Sequence, residues 1–183
     1  MKCSSLVLGV LATLAAAQTP SPYTDVKSGI TFNTLQHSSG IFFGLALTAN
    51  ATGHTDFIAT IGGKVGSFRK TAQYASPAVA TGAFTQTTIA NGTYVNSTHW
   101  TYTFLCSKCI QTDSTTFKPT DTAPSLGFAF NPTAPAQKTN PASSVSKHTT
   151  QGQAVFDLSK AKSANFEVWK GYAVPKVATG LAG

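Results

Sequence analysis

The stretch Trp100-Thr101-Tyr102-Thr103-Phe104 places an aromatic side chain at every second position, with threonine between. A period of two is that of a β-strand, whose successive side chains point to opposite faces. One face must be buried and both edges paired, so this segment commits the chain to a sheet with a covered side. Leu126, Phe128 and Phe130 repeat the alternation. Ile41-Phe42-Phe43-Gly44-Leu45-Ala46-Leu47 is continuously apolar, as a strand buried on both faces reads. Phe57-Ile58-Ala59-Thr60-Ile61 and the residues around Val155 supply further short strands. Asn96 heads a sequon and does not belong in a core, so the aromatic strand is expected to start near Thr98. A helical period occurs only over 158–169, where Leu158, Ala161, Phe166 and Trp169 fall near one face and Asp157 or Ser159 caps the start. The Pro-, Ala-, Ser- and Thr-rich run 131–146 is expected to be an exposed loop. Short strands separated by turn signals predict an all-β fold, an antiparallel β-sandwich with one short C-terminal helix.

The N-terminus is read separately. Lys2 precedes a compact apolar run over 6–16, and Ala15-Ala16-Ala17 supplies small residues. This is the layout of a secretory signal peptide over residues 1–17, leaving 18–183 as a single mature domain. The apolar run is too short to span a bilayer, and no later segment is long and apolar enough to do so. Sequons at Asn50, Asn91 and Asn96 suit a secreted, extracellular glycoprotein.

Charged residues make up only 10% of the chain, against 42% hydrophobic. That composition excludes a coiled coil, a charged bundle and whole-chain disorder. The formal charge is +7, but the lysines are dispersed and Arg69 is the one arginine. Nucleic-acid readers rely on arginine, so nucleic acid is not expected as a partner. The six acidic residues show no telling spacing. No nucleophile elbow, P-loop or dinucleotide fingerprint occurs, and no catalytic residue is assigned.

Beyond the signal peptide, the cysteines are Cys106 and Cys109, in Cys106-Ser107-Lys108-Cys109. Ile110 excludes c-type haem attachment, and a zinc site lacks its second pair. A redox-active pair would want a βαβ setting, whereas these cysteines follow a strand. A structural disulfide at a strand end is the reading that fits an oxidising compartment. The histidines are His37, His54, His99 and His148. His99 is placed in the aromatic strand opposite Trp100, and His148 at the end of the Pro-rich loop. A histidine on a loop over an aromatic-lined sandwich can bind haem iron through neutral imidazole.

Taken in order, several stretches resemble the cytochrome domain of fungal cellobiose dehydrogenases. They begin with Tyr23-Thr24-Asp25, Gly29-Ile30-Thr31-Phe32 and Phe43-Gly44-Leu45-Ala46-Leu47. Ser67-Phe68-Arg69 with Tyr74 follows, then Tyr94-Val95-Asn96-Ser97-Thr98-His99-Trp100 running into Phe104-Leu105-Cys106-Ser107-Lys108-Cys109. The series ends with His148, Phe156-Asp157-Leu158-Ser159-Lys160-Ala161 and Ser163-Ala164-Asn165-Phe166. The resemblance implies an immunoglobulin-like sandwich holding one haem b between a methionine and a histidine. It maps the haem histidine, and so the metal ligand, onto His148, and the disulfide onto Cys106 and Cys109. It implies electrons received from a flavin dehydrogenase and passed to a copper-dependent lytic polysaccharide monooxygenase.

The chain departs from that pattern at one place. The family's long segment holding two core strands and the haem methionine is replaced by Gly62-Gly63-Lys64-Val65-Gly66. Met1 is the only methionine and falls in the signal peptide. Two missing strands would uncover apolar faces on their neighbours. At roughly 25 cal/mol per Å² this costs on the order of 10 kcal/mol for several hundred Å². The alternative reading is a haem-free secreted sandwich, either vestigial or binding polysaccharide through exposed aromatics such as Trp169, Tyr172 or Tyr74.

Overall fold

The computed structural model describes residues 19–50, 55–63, 82–96, 99–112, 116–133, 136–137, 140, 143–144 and 146–173. The strands are β1 (Ser21–Thr24), β2 (Thr31–Gln36), β3 (Phe42–Thr48), β4 (Phe57–Gly63), β5 (Thr85–Thr88), β6 (Tyr94–Val95), β7 (Trp100–Ser107), β8 (Ser125–Phe130), β9 (Thr150–Val155) and β10 (Lys162–Ser163). A single α-helix, α1 (Phe166–Lys170), follows. The main sheet runs β1-β2-β3-β4-β7-β5, with β6 added to β7 and β10 to β3. β8 and β9 form a separate hairpin, the second layer. All pairings are antiparallel except that of β10 with β3.

β3 is the apolar run expected to be buried, and both its faces are used. Leu45 and Leu47 join a core with Phe57, Ala59, Phe104, Ala154 and Phe156. Ala46 joins a second core with Phe32, Ile58, Leu105, Phe166 and Trp169. The main sheet is therefore covered by the hairpin on one side and by α1 on the other. α1 has five residues, too few to be stable alone. Phe166 and Trp169, three apart, hold it down by burying roughly 3–6 kcal/mol of side chain between them.

The helical segment expected over 158–169 is not continuous. Leu158–Ala161 is a 3₁₀ turn, capped by the Asp157 side chain accepting from Ser159 N–H. Lys162 and Ser163 then pair with Leu47 and Thr48. The cause lies in β3: its pairing with β2 ends at Leu45, leaving the backbone at Leu47 and Thr48 in need of partners. Filling that edge outweighs a helix of modest propensity. The two halves of the predicted apolar face accordingly enter different cores, Leu158 and Ala161 on one side of the sheet and Phe166 and Trp169 on the other.

The aromatic strand begins at Trp100, and Asn96 lies outside it in a tight turn. There Asn96 N–H donates to His99 O at 2.9 Å, and His99 N–H to Asn96 Oδ1 at 2.8 Å. His99 thus precedes the strand rather than lying within it. No helix among the described residues is long and apolar enough to cross a membrane.

Candidate functional site

The half-covered side of the sheet is the one facing the hairpin. Phe43, Ile61, Phe84, Tyr102, Leu126 and Phe128 pack against the buried core there but remain partly exposed. The opposite side keeps its aromatics Phe166 and Trp169 buried. This row is apolar surface that neither solvent nor protein fully covers. Of the run Gly62 to Gly66, only Gly62 and Gly63 are described, and residues 64–81 lie outside the described residues.

Register fixes what gathers at one end of this face. Gln36 pairs with Phe42, Phe42 with Gly62, and Gly63 with Trp100. The β2–β3 turn, the end of β4 and the start of β7 therefore meet. In the other layer, Phe130 opposite Thr150 marks the corresponding end of the hairpin. Phe128 brings that layer to the turn, its ring centroid 4.8 Å from the His37 ring and 6.2 Å from that of Phe43. Gly40, at φ 83°, shapes the turn, and a Cβ there would stand 3.7 Å from His99 Nε2. His37, His99, Trp100 and the residues just before Thr150 thus share one end.

His148 is exposed and lies two residues before β9. Backbone bonds on either side hold it: Thr149 N–H donates to Phe130 O at 2.8 Å, and Asn131 Nδ2 donates to Lys147 O. His37 is half-buried. Its Nδ1 lies 2.8 Å from Ser39 Oγ and accepts from Ser39 N–H at 3.1 Å. The Trp100 indole Nε1 is buried without a hydrogen-bond partner among the described residues. His54 and Tyr74 fall outside the described residues. No three His, Cys, Asp or Glu side chains converge as a metal cluster among those described.

Cys106 and Cys109 are joined at the opposite end, with Cα atoms 5.6 Å apart and both residues buried. Lys108 between them takes a φ of 60°. The loop is anchored through Thr55 O, which accepts from Cys109 and Ile110 N–H at 2.8 Å, and through Asp56 Oδ1, which accepts from Lys108 N–H at 2.9 Å. Asp56 Oδ2 also meets Lys170 Nζ at 2.8 Å, tying the loop to α1. Burial alone would push the Asp56 carboxyl up, but the bonds from Lys170, Lys108 and Thr55 together hold it below the usual carboxylate range. The hydrogen bond to Asp56 raises Lys170. This end is structural. So is a groove of about 160 Å³ beside Leu158, where Asp157 caps Ser159 and Asp121 accepts from Lys118 N–H.

Of the aromatics read as sugar-stacking candidates, Trp169 is only 6% exposed and belongs to the core beneath α1. Tyr172 stays on the surface. The sequence gives His37 no preference over His54 or His99 as a substitute for the methionine, because its contact is made across layers, from a turn to Phe128.

A two-layer β domain with a half-covered aromatic face and imidazoles at its rim has the build of a small cofactor-holding domain. The profile of the family described as the cytochrome domain of cellobiose dehydrogenase matches residues 61–168, more than half of the chain. The chain belongs to that family. It is similar to the cytochrome domain of Myriococcum thermophilum cellobiose dehydrogenase, at 25% identity and a TM-score of 0.70, over 87% of this chain and 99% of that one. It also shares its fold with the cytochrome b domain of pyranose dehydrogenase from Coprinopsis cinerea, at 18% identity and a TM-score of 0.67, over 86% and 98% of the two chains.

The residues present suit a porphyrin in three respects. The partly exposed row offers apolar contact, the orphaned Trp100 N–H offers a buried donor for a carboxylate, and His148 offers an imidazole at the rim. The thioether half of a methionine–histidine pair has no counterpart, since Met1 is the one methionine.

Proposed function

We propose that this chain is a secreted electron-transfer domain that holds one haem b, with residues 1–17 serving as its signal peptide. Haem, when bound, supplies a one-electron couple between ferric and ferrous iron. The supporting observation is the half-covered aromatic face, set in a fold of cytochrome-domain type. Phe43, Tyr102 and Phe128 would contact the macrocycle and keep water from it. Trp100 would donate its unpartnered indole N–H to a propionate. His148 would offer an imidazole nitrogen to the iron, its backbone steadied through Thr149 and Lys147. The chain's own groups do no acid–base work in this role. The electron donor is proposed to be a flavin dehydrogenase in trans, and the acceptor a copper-dependent polysaccharide monooxygenase.

The test is titration of purified chain with haemin. One equivalent should produce a Soret band at roughly 400–430 nm that His148→Ala abolishes or weakens at least tenfold. Folded protein that takes up no haemin would end this reading.

A further inference from the structure

We infer that His37 is the second protein ligand that would hold the haem iron, in the role a methionine would take. The inference rests on the haem reading above. Position singles the residue out among the described histidines. It is the half-buried imidazole whose ring packs on the partly exposed aromatic face, 4.8 Å from Phe128, whereas His99 is exposed and tied by its backbone into the Asn96 turn. The ring is also oriented. His37 N–H donates to Ile41 O at 2.8 Å and Gly40 N–H to His37 O at 2.9 Å, so both backbone groups are fixed. Ser39 holds Nδ1, leaving Nε2 with no protein hydrogen bond among the described residues.

Ser39 serves both tautomers. Without metal, Nδ1 accepts from Ser39 N–H and the ring proton sits on Nε2. Ligation through Nε2 needs that proton on Nδ1, where Ser39 Oγ at 2.8 Å is placed to accept it while the bond from Ser39 N–H is given up. A ligating histidine commonly donates its other N–H to such a group, which orients the ring and raises its basicity. Two imidazoles in place of imidazole and thioether also lower the reduction potential, because thioether ligation favours the ferrous state.

Three forms of the chain decide the matter, each checked for folding by circular dichroism and then loaded with one equivalent of haemin. The wild type should give a low-spin, six-coordinate optical and electron-paramagnetic-resonance spectrum of the bis-imidazole type. His37→Ala should still bind haemin but become high-spin and five-coordinate, with added free imidazole restoring the low-spin spectrum. His37→Met should stay low-spin while its reduction potential rises. A low-spin, bis-imidazole spectrum retained in His37→Ala would overturn the assignment while leaving haem binding intact. Absence of haemin uptake by folded wild type would remove the underlying reading instead. If His37→Ala fails to fold, His37→Gln gives the same comparison with the ring volume largely kept.

Discussion

Replacing Phe156 by alanine tests whether the hairpin layer is fastened to the sheet through one ring. Phe156 is 0% exposed, and its ring stacks on Phe43 with centroids 5.1 Å apart and planes at 28°. It immediately follows β9, so it carries the hairpin's pull directly onto β3. Truncation removes about 150 Å² of buried apolar ring, close to 4 kcal/mol at 25 cal/mol per Å². The cavity is only partly filled by relaxation, since Leu45, Ala154 and Leu158 are held by strands and a capped turn. Core Phe→Ala changes with such cavities cost about 3–5 kcal/mol. Against a total stability of roughly 5–15 kcal/mol, that is a large fraction. Urea unfolding followed by tryptophan fluorescence reads it well, because Trp169 lies in the core beneath α1 and Trp100 at the rim of the hairpin face. The expected result is a lower midpoint with unchanged slope, equal to about 4 kcal/mol. Phe43→Ala should cost less, about 2 kcal/mol, because that ring is already partly exposed. A loss below 1 kcal/mol for Phe156→Ala would refute the claim that this side chain joins the layers.

Asp56→Asn should cost about 1 kcal/mol near pH 7, a value limited because Lys170 is 39% exposed and screened by solvent. The folded carboxyl lies below its unfolded value of about 3.9, so its contribution is full above that pH and fades as pH falls through the folded value; denaturation midpoints of wild type and variant should therefore converge under acid. Cys106→Ala with Cys109→Ala opens a loop of sequence separation 3 and should cost about 2 kcal/mol, measured by the same urea titration. Gly152→Val places a Cβ 2.7 Å from the Phe128 ring and should destabilise by about 1–3 kcal/mol, read as a drop in thermal midpoint. Secreted recombinant protein should shed mass at Asn50, Asn91 and Asn96 on N-glycosidase treatment, all three being exposed, and an unchanged mass would count against glycosylation.

What was legible in the sequence follows the range of the interactions. Alternation over Trp100 to Phe104 and over Ser125–Phe130 marked strands because successive side chains of different character take opposite faces of one segment, although the β7 threonines Thr101 and Thr103 are themselves buried. The buried character of β3 was legible from a continuous apolar run, which leaves neither face polar. The placement of β7 between β4 and β5 was not, because it depends on register with residues in two other segments of the chain. The break in the 158–169 helix was equally hidden, since its cause is an unpaired stretch of β3 far back in the chain. His148 and the cysteine pair were singled out by resemblance and motif. His37 carried no periodic signal, and only the packing of the two layers gives it a neighbourhood.

The unequal covering of the two sides of the sheet links stability to function. Phe32, Ile58, Leu105 and the α1 aromatics close one side almost completely, and the Asp56–Lys170 pair ties α1 to the cysteine loop. That side needs nothing further to be stable. The hairpin side leaves Phe43, Tyr102 and Phe128 partly wet, a cost the fold bears because the fastened side and Phe156 hold the layers together. A macrocycle entering there would remove that apolar surface from water without moving the main sheet. Binding would then show as added stability, growing as RT ln(1 + [L]/Kd), and falling on hairpin-face variants rather than on those beneath α1. That division suits the proposed role, because electron transfer asks for a dry, oriented slot rather than a proton donor.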